Sequence, residues 1–148
     1  MELYKVSPQI DLYNHELFKK LVDKEGFVQY DPSNWEEFLK LPGLSMALFI
    51  EDPNRMKETM DALVIAPELA RSCLLIKNKA VVGPPNARKM AVQYGFKRWP
   101  ALVFFRDGKY LGAVDGLRLW AQLVEEVDEI IRSEPTYPPS IGIPIRPA

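Results

Sequence analysis

The side chains that could support nucleophilic catalysis are one cysteine, Cys73, and one histidine, His15. A cysteine nucleophile needs a neighbouring base that generates its thiolate. Cys73 is predicted to lie where a helix passes into a strand, next to apolar residues 74–76, and a cysteine buried in such surroundings is inert. His15 lies in a leading helix between polar neighbours and is interpreted as a solvated residue. The sequence therefore predicts no catalytic residue.

The residue counts exclude further classes of chemistry. One cysteine cannot form an internal disulfide, a Cys-x-x-Cys redox pair or a thiolate zinc site, and one histidine excludes the usual His-rich metal sites. Nineteen Lys and Arg against twenty Asp and Glu give a net charge of −1, so no overall positive field favours nucleic acid. We expect no metal site, no cofactor and no nucleic-acid partner.

Length and hydropathy favour one globular domain outside the membrane. The 148 residues, 47% of them apolar, are enough to bury a core. No apolar run approaches the roughly 18 residues that span a bilayer. Residues 1–9 also lack a cationic segment followed by an apolar stretch. We expect a cytoplasmic protein with no membrane insertion.

Strands are predicted where short apolar or β-prone runs are bounded by turn residues. These runs are residues 27–30, 46–50, 73–76 with a possible extension to 82, 101–105 and 110–114. The Asp107-Gly108 pair between the last two runs predicts a hairpin, because both central turn residues need positive φ.

Helices are predicted where apolar residues recur at helical spacing. They cover residues 11–24, a short segment opened by an S-x-x-E capping box at 33–36, 62–72 with Pro67 inside or at its start, 87–94, and 117–132. In the last helix the predicted inward stripe is Leu117, Trp120, Leu123, Val124, Val127, Ile130 and Ile131. Residues 51–61 are predicted as a polar segment that opens with a loop.

The order of these elements predicts an α/β fold with a central mixed sheet flanked by helices. Crossovers through helices make strand neighbours parallel, whereas the C-terminal hairpin is antiparallel. This is the arrangement of the thioredoxin fold. We expect residues 1–133 to form that domain with an added N-terminal helix, and residues 134–148 to form a Pro-rich tail that is disordered or laid along a surface.

Residues 96–109, Phe-Lys-Arg-Trp-Pro-Ala-Leu-Val-Phe-Phe-Arg-Asp-Gly-Lys, resemble the thioredoxin stretch that runs through its cis-proline into the last hairpin. Gly116 before the final helix fits as well, and the resemblance covers about residues 27–132. It implies a cis Trp99-Pro100 bond, with a trans proline at the start of a strand as the alternative. Thioredoxins carry their Cys-x-x-Cys just after the strand that matches 46–50, but here residues 51–61 contain no cysteine.

Further short motifs narrow the resemblance to one family. Ala66-Pro67-Glu68-Leu69, residues 96–101 and Gly116-x-x-x-Trp120-Ala121 resemble the HupG/HyaE hydrogenase expression proteins. The resemblance implies a non-enzymatic chaperone in maturation of [NiFe] hydrogenase. Its client would be the small-subunit precursor with its twin-arginine signal peptide, bound before export. Other maturation proteins are further candidate partners.

Four carboxylates are candidate contacts for the paired arginines of such a client, because carboxylates bind guanidinium groups through bidentate hydrogen bonds. They are Glu51, Asp52, Glu58 and Asp61. Cationic residues among them, at 55 and 57, weaken the local field, and a solvated loop is the alternative interpretation.

Trp99 and Pro100 are predicted to lie on the same face, which holds extended peptides in thioredoxin-like folds. Aromatic residues are enriched at binding hot spots, although Trp99 could equally cover the sheet edge. Two other functions stay open: a redox protein that uses Cys73 alone, and a structural module that dimerises through the hairpin edge or the tail.

Overall fold

The computed structural model of the chain describes residues 9–139. In order, these residues form a 3-10 turn (Leu12–Asn14), α1 (Glu16–Asp23), β1 (Val28–Gln29), α2 (Trp35–Leu39), β2 (Leu44–Phe49), α3 (Glu58–Ser72), β3 (Ile76–Val82), α4 (Ala87–Ala91) with a 3-10 turn (Val92–Tyr94), β4 (Ala101–Arg106), β5 (Lys109–Asp115) and α5 (Trp120–Ile131).

The five strands form one mixed sheet in the order β1-β3-β2-β4-β5. β1 and β2 both pair with β3 in parallel, because helices carry the chain between them, whereas β2, β4 and β5 pair antiparallel. The predicted hairpin is confirmed, with Asp107 and Gly108 at φ +52° and +79°. A β-carbon on Gly108 would lie 1.9 Å from the carbonyl oxygen of Leu39, so this turn requires glycine.

Two apolar clusters lie on the two faces of the sheet. α1, α3 and α5 cover one face, with Phe18, Leu63 and Leu123 among the buried residues. α2 and α4 cover the other, where the Trp35 indole donates a hydrogen bond of 2.9 Å to the Tyr94 hydroxyl. Burial raises the pKa of Tyr94 to about 12. Since both faces are covered, every residue of β2 is buried.

The third strand and the helix before it differ from the prediction. The strand covers Ile76–Val82, so the possible extension to residue 82 is confirmed, whereas residues 73–75 were wrongly predicted as strand. Polar side chains early in β3 find partners in distant parts of the chain, since the Asn78 amide donates to Ser45 Oγ at 2.9 Å and Lys79 Nζ donates to the Glu25 carbonyl at 2.5 Å. α3 begins at Glu58 and contains Pro67 in its interior.

The first and second helices also begin differently from the prediction. His15 is extended and half-buried, and its Nδ1 accepts a hydrogen bond of 3.0 Å from the Leu17 amide, so it caps α1 instead of lying free in solvent. The capping box at 33–36 is not formed. Asp31 Oδ1 accepts the Ser33 amide at 2.8 Å, and Asn34 precedes α2 without a side-chain cap.

The last helix is shorter than predicted and its N-terminal apolar residues face solvent. α5 begins at Trp120, with Leu119 as its N-cap. Of the predicted inward stripe, Leu123 and Val127 are buried. After α5, the Thr136 amide donates to the Tyr110 carbonyl at 2.9 Å, so the described part of the tail lies against the edge of β5. The rest of the predicted tail, residues 140–148, and residues 1–8 lie outside the described residues.

Candidate functional site

The loop between β2 and α3, which in the thioredoxin arrangement carries the dithiol, here holds a buried carboxylate paired with a largely exposed arginine. Glu51 is 6% exposed, and the Arg88 guanidinium donates to its carboxylate. The Thr59 hydroxyl donates to the Glu51 carbonyl at 2.9 Å, which ties the loop to the first turn of α3. The Glu51 carboxylate is thus engaged inside the protein, facing α4.

Asp52 is engaged by its own loop. Its Oδ1 accepts the Asn54 amide at 3.0 Å and the Asn54 side-chain amide at 2.9 Å, and these hydrogen bonds lower the pKa of Asp52. Asn54 also pairs with the backbone of Ile10 in both directions, at 2.8 Å each. Asp52 therefore fixes the loop and, through Asn54, the segment before α1.

Trp99 and Pro100 lie next to this ion pair. The Trp99-Pro100 bond is cis, as the resemblance implies. The Trp99 indole is half-buried, with the Arg88 guanidinium 5.2 Å from its ring centroid on one side and Phe96 at 5.1 Å on another. Arg88 thus links the buried Glu51 to the exposed part of Trp99 in one stack.

Asp115, at the end of β5, holds the segment that leads into Pro100. Its Oδ2 accepts the backbone amides of Lys97 at 2.8 Å and Arg98 at 3.1 Å. Burial alone would raise the pKa of Asp115, but these amides and the charges of Arg98 and Arg118 outweigh it, and the pKa is lowered. Sequence reasoning missed Asp115, since its partners are 17 and 18 residues away.

Glu58 and Asp61 form the acidic end of α3. They lie in the first turn of α3, Glu58 half-buried and Asp61 exposed, and neither forms an ion pair with another of residues 9–139. Carboxylates at this position also favour the helix through its dipole. Of the four predicted carboxylates, these two present their charge outward.

A shallow apolar groove follows the acidic end along α3. One wall is Ala62, Ile65 and Ala66 of α3, and the other is Leu117 and Leu123. Its floor is Leu48, Leu102 and Val114, and Pro100 closes one end. The sequence prediction placed Leu117 in the core and so missed this groove.

Exposed apolar side chains continue from the groove onto the start of α5. Leu117 is 39% exposed, Leu119 74% and Trp120 43%. Leu119 and Trp120 thus lie in the chain between two groove residues, Leu117 and Leu123, and are partly or largely exposed. Contiguous exposed apolar surface of this kind marks interaction sites.

Cys73 lies at the far end of α3 from this surface. It is the C-cap residue of α3, half-buried, and packs against the core beside the exposed Leu74. Cys73 comes seven residues after Ala66, the last residue of α3 that lines the groove, or about 10 Å along the helix axis, and does not line the groove itself. Within residues 9–139 no three His, Cys, Asp or Glu side chains are grouped so as to hold a metal ion, and no helix is long and apolar enough to cross a membrane.

Comparisons with known proteins agree on one kind of protein. The family described as hydrogenase-1 expression protein HyaE matches residues 17–123, most of the chain. The hydrogenase expression/formation protein HoxO of Cupriavidus necator is 31% identical over 134 residues, which cover 87% of this chain and 81% of that protein. HoxO of Azotobacter vinelandii is 28% identical over 137 residues, which cover 88% and 92%.

A more distant relative and a solved structure complete the comparison. The hydrogenase expression/formation protein HupG of Rhodobacter capsulatus is 27% identical over 121 residues, covering 81% of this chain and 88% of that protein. The crystal structure of the J-Trx1 fragment of ERdj5 superposes with a TM-score of 0.57 at 19% identity, over 76% of this chain and 55% of that one. This chain therefore matches about half of that fragment, and the likeness concerns the fold, which is thioredoxin-like.

Proposed function

Because the chain belongs to the HyaE family of hydrogenase expression proteins, we propose that it binds a hydrogenase small-subunit precursor through a twin-arginine signal peptide. It is a hydrogenase expression/formation protein with a thioredoxin-like fold, so the predicted family and fold are confirmed. The proposed role is that of a non-enzymatic chaperone that acts in the cytoplasm before export. Other maturation proteins are candidates for later contacts.

The observation that carries this proposal is the acidic end beside the cis-proline face. Glu58 and Asp61 project from the first turn of the helix that follows the loop at 51–57, and Pro100, which follows Trp99, lines the groove next to that helix. Two outward carboxylates one helical turn apart match two neighbouring guanidinium groups, which carboxylates bind by charge-assisted hydrogen bonds. Trp99 offers an aromatic surface for the peptide beside them.

The loop itself supports binding over catalysis. Its residues include no cysteine, and its buried carboxylate, Glu51, is held by Arg88. A disulfide reductase needs a thiolate at this place. An ion pair linked to Trp99 instead stabilises a fixed surface on which a peptide can lie.

Removing the two outward charges should weaken binding of the peptide. We expect the double variant Glu58→Gln, Asp61→Asn to lower the affinity for a twin-arginine signal peptide about 3- to 10-fold at low salt, since exposed ion pairs contribute about 0.2–1 kcal/mol each. Isothermal titration calorimetry at two ionic strengths measures this, and 0.5 M salt should reduce the difference.

The matched control is Glu36→Gln, Glu37→Gln. These carboxylates occupy the same first-turn position, but on α2, which packs on the opposite face of the sheet, and both are exposed. The control removes the same charge and the same helix-dipole contribution. An equal loss of affinity in both variants, or equal affinity for a peptide whose two arginines are alanine, contradicts the proposed contact.

If Cys73 had a redox role, its replacement would impair the function of the protein, whereas the binding role proposed above does not need this residue. Since Cys73 ends α3 and does not line the groove, we expect Cys73→Ala to leave the affinity for the signal peptide unchanged within twofold. We also expect the variant to support hydrogenase maturation as the wild type does when it replaces the wild-type chain in cells. Loss of maturation in the variant, with folding intact by circular dichroism, would favour the single-cysteine redox function.

A further inference from the structure

We propose that the apolar groove receives the apolar segment that follows the paired arginines of the client peptide. This inference rests on the proposed function and adds a second contact to it. Export signals place a cationic segment before an apolar stretch of about 7–15 residues. The protein surface carries the complementary order, an acidic end followed by the groove.

One face of α3 carries acidic residues first and apolar residues after them. Glu58, Asp61, Ala62 and Ile65 recur at spacings of three, one and three residues, which places them along one side of a helix. Asp61 and Ile65 are one turn apart, about 6 Å along the axis. A peptide whose arginines reach the acidic end therefore has its next residues at the mouth of the groove.

The groove offers a shallow, mostly apolar surface. Its cavity volume is about 20 Å³, room for roughly one water molecule, so the apolar residues of a peptide would lie over the groove and not be enclosed by it. Apolar side chains form both walls and the floor, and Leu117, half in solvent, stands at its edge. Covering it would remove from water apolar surface that the fold leaves uncovered.

The basic residue that lines the groove does not oppose a cationic peptide. Arg118 is 19% exposed, and its Nε donates to the Glu126 carboxylate at 2.9 Å. A second of its nitrogens donates to the Asp115 carbonyl at 2.5 Å, and a third lies 3.8 Å from the Asp115 carboxylate. Its charge is thus compensated within the protein, while Glu58 and Asp61 keep theirs.

The test compares three peptides by calorimetry on the full chain. The first carries the paired arginines and the apolar segment, the second has alanine for both arginines, and the third keeps the arginines but has serine and glycine for the apolar residues. We expect the third peptide to bind at least tenfold more weakly than the first. The indole NMR signal of Trp120, 43% exposed and three residues before the groove residue Leu123, should shift with the first peptide and not with the third.

The protein variant for this test is Leu117→Ser, Leu119→Ser. Leu119 is the N-cap of α5 with extended backbone, where serine is a preferred residue, so this change should not weaken the helix. The matched control is Leu74→Ser, Leu75→Ser, two leucines that are 87% and 64% exposed at the other end of α3. We expect the first variant to lose at least tenfold in affinity for the first peptide and the control to lose less than twofold.

The outcomes separate the two proposals. If the third peptide binds as tightly as the first, the groove assignment is overturned and the arginine contact stands. If the second binds as tightly as the first while the groove variant binds weakly, the arginine contact is overturned and the groove stands. If no peptide binds, both are overturned. A free protein that sediments as a dimer, and as a monomer in the groove variant, overturns the assignment in favour of a second copy as occupant.

Discussion

Replacing Trp35 with alanine is expected to lower the free energy of unfolding by about 3–5 kcal/mol. The indole is 4% exposed and stacks on Phe38 with ring centroids 5.0 Å apart. It meets Phe49 and Phe105 edge-on at 5.8 and 6.0 Å. The substitution leaves a cavity in this cluster and removes the hydrogen bond to Tyr94, whose hydroxyl would remain without that partner.

The matched variant is Trp120→Ala, which removes the same side chain from the surface. Trp120 is 43% exposed and so buries little more than half of its surface, and we expect its loss to cost about 1–2 kcal/mol, clearly less than the loss of Trp35. Urea denaturation of both variants, followed by circular dichroism, measures the difference. Similar losses for the two tryptophans would contradict the partly exposed position of Trp120.

Replacing Asp115 with alanine is expected to destabilise the protein by about 2 kcal/mol and to weaken peptide binding as well. Its carboxylate accepts two backbone amides, and hydrogen bonds to charged groups contribute about 1.5–3 kcal/mol each. We place the total below the sum of two such bonds because the side chain is 21% exposed and water can replace part of the contact. The loss frees residues 97 and 98, which lead into Trp99 and Pro100.

The pH dependence of this effect follows from the lowered pKa of Asp115. A carboxylate whose pKa is lower in the folded state contributes stability above its unfolded pKa, about 3.9, and loses it as the pH falls through the folded value. The stability difference between wild type and Asp115→Ala should therefore be constant near neutral pH and shrink below about pH 4. Asp128→Ala, which breaks only the exposed ion pair with Arg132, is the control, with an expected change below about 0.5 kcal/mol.

The elements that the sequence predicts well are those in which local pattern and burial agree. β2 and β4 are continuous apolar runs, and such runs are buried on both faces in a central strand. The Asp107-Gly108 turn has a conformation that few other residue pairs adopt. The cis bond before Pro100 followed from the resemblance to thioredoxins, since no local pattern distinguishes it from a trans proline.

The elements that the sequence predicts poorly are those in which distant partners decide. Leu74 and Leu75 look like the start of a strand but are exposed, whereas the polar residues 77–79 belong to β3, where Asn78 and Lys79 find partners in other parts of the chain. The apolar stripe of the last helix begins before the part of the helix that packs on the sheet. Trp120, at the start of the helix, is therefore 43% exposed.

The candidate site shows the same difference between what local sequence predicts and what the fold decides. The sequence identifies the four carboxylates near the loop, but it does not predict which of them are buried or already paired. Glu51 is buried because Arg88, 37 residues later, reaches it, and Asp52 is occupied by Asn54. A partner across the fold separates Glu51 from Glu58 and Asp61, and a side chain in its own loop separates Asp52 from them. Whether Glu51 and Asp52 also contact a client stays a prediction.

The stack of Glu51, Arg88 and Trp99 has a consequence for the lifetime of a bound client. Thioredoxins hold and release a protein by making and breaking a covalent bond at this corner of the fold. Here the corner is occupied by an ion pair and an aromatic ring, so a complex formed on it lasts only as long as its noncovalent contacts. For the proposed client, the dissociation rate alone would then set how long the complex lasts, with no change in covalent bonds.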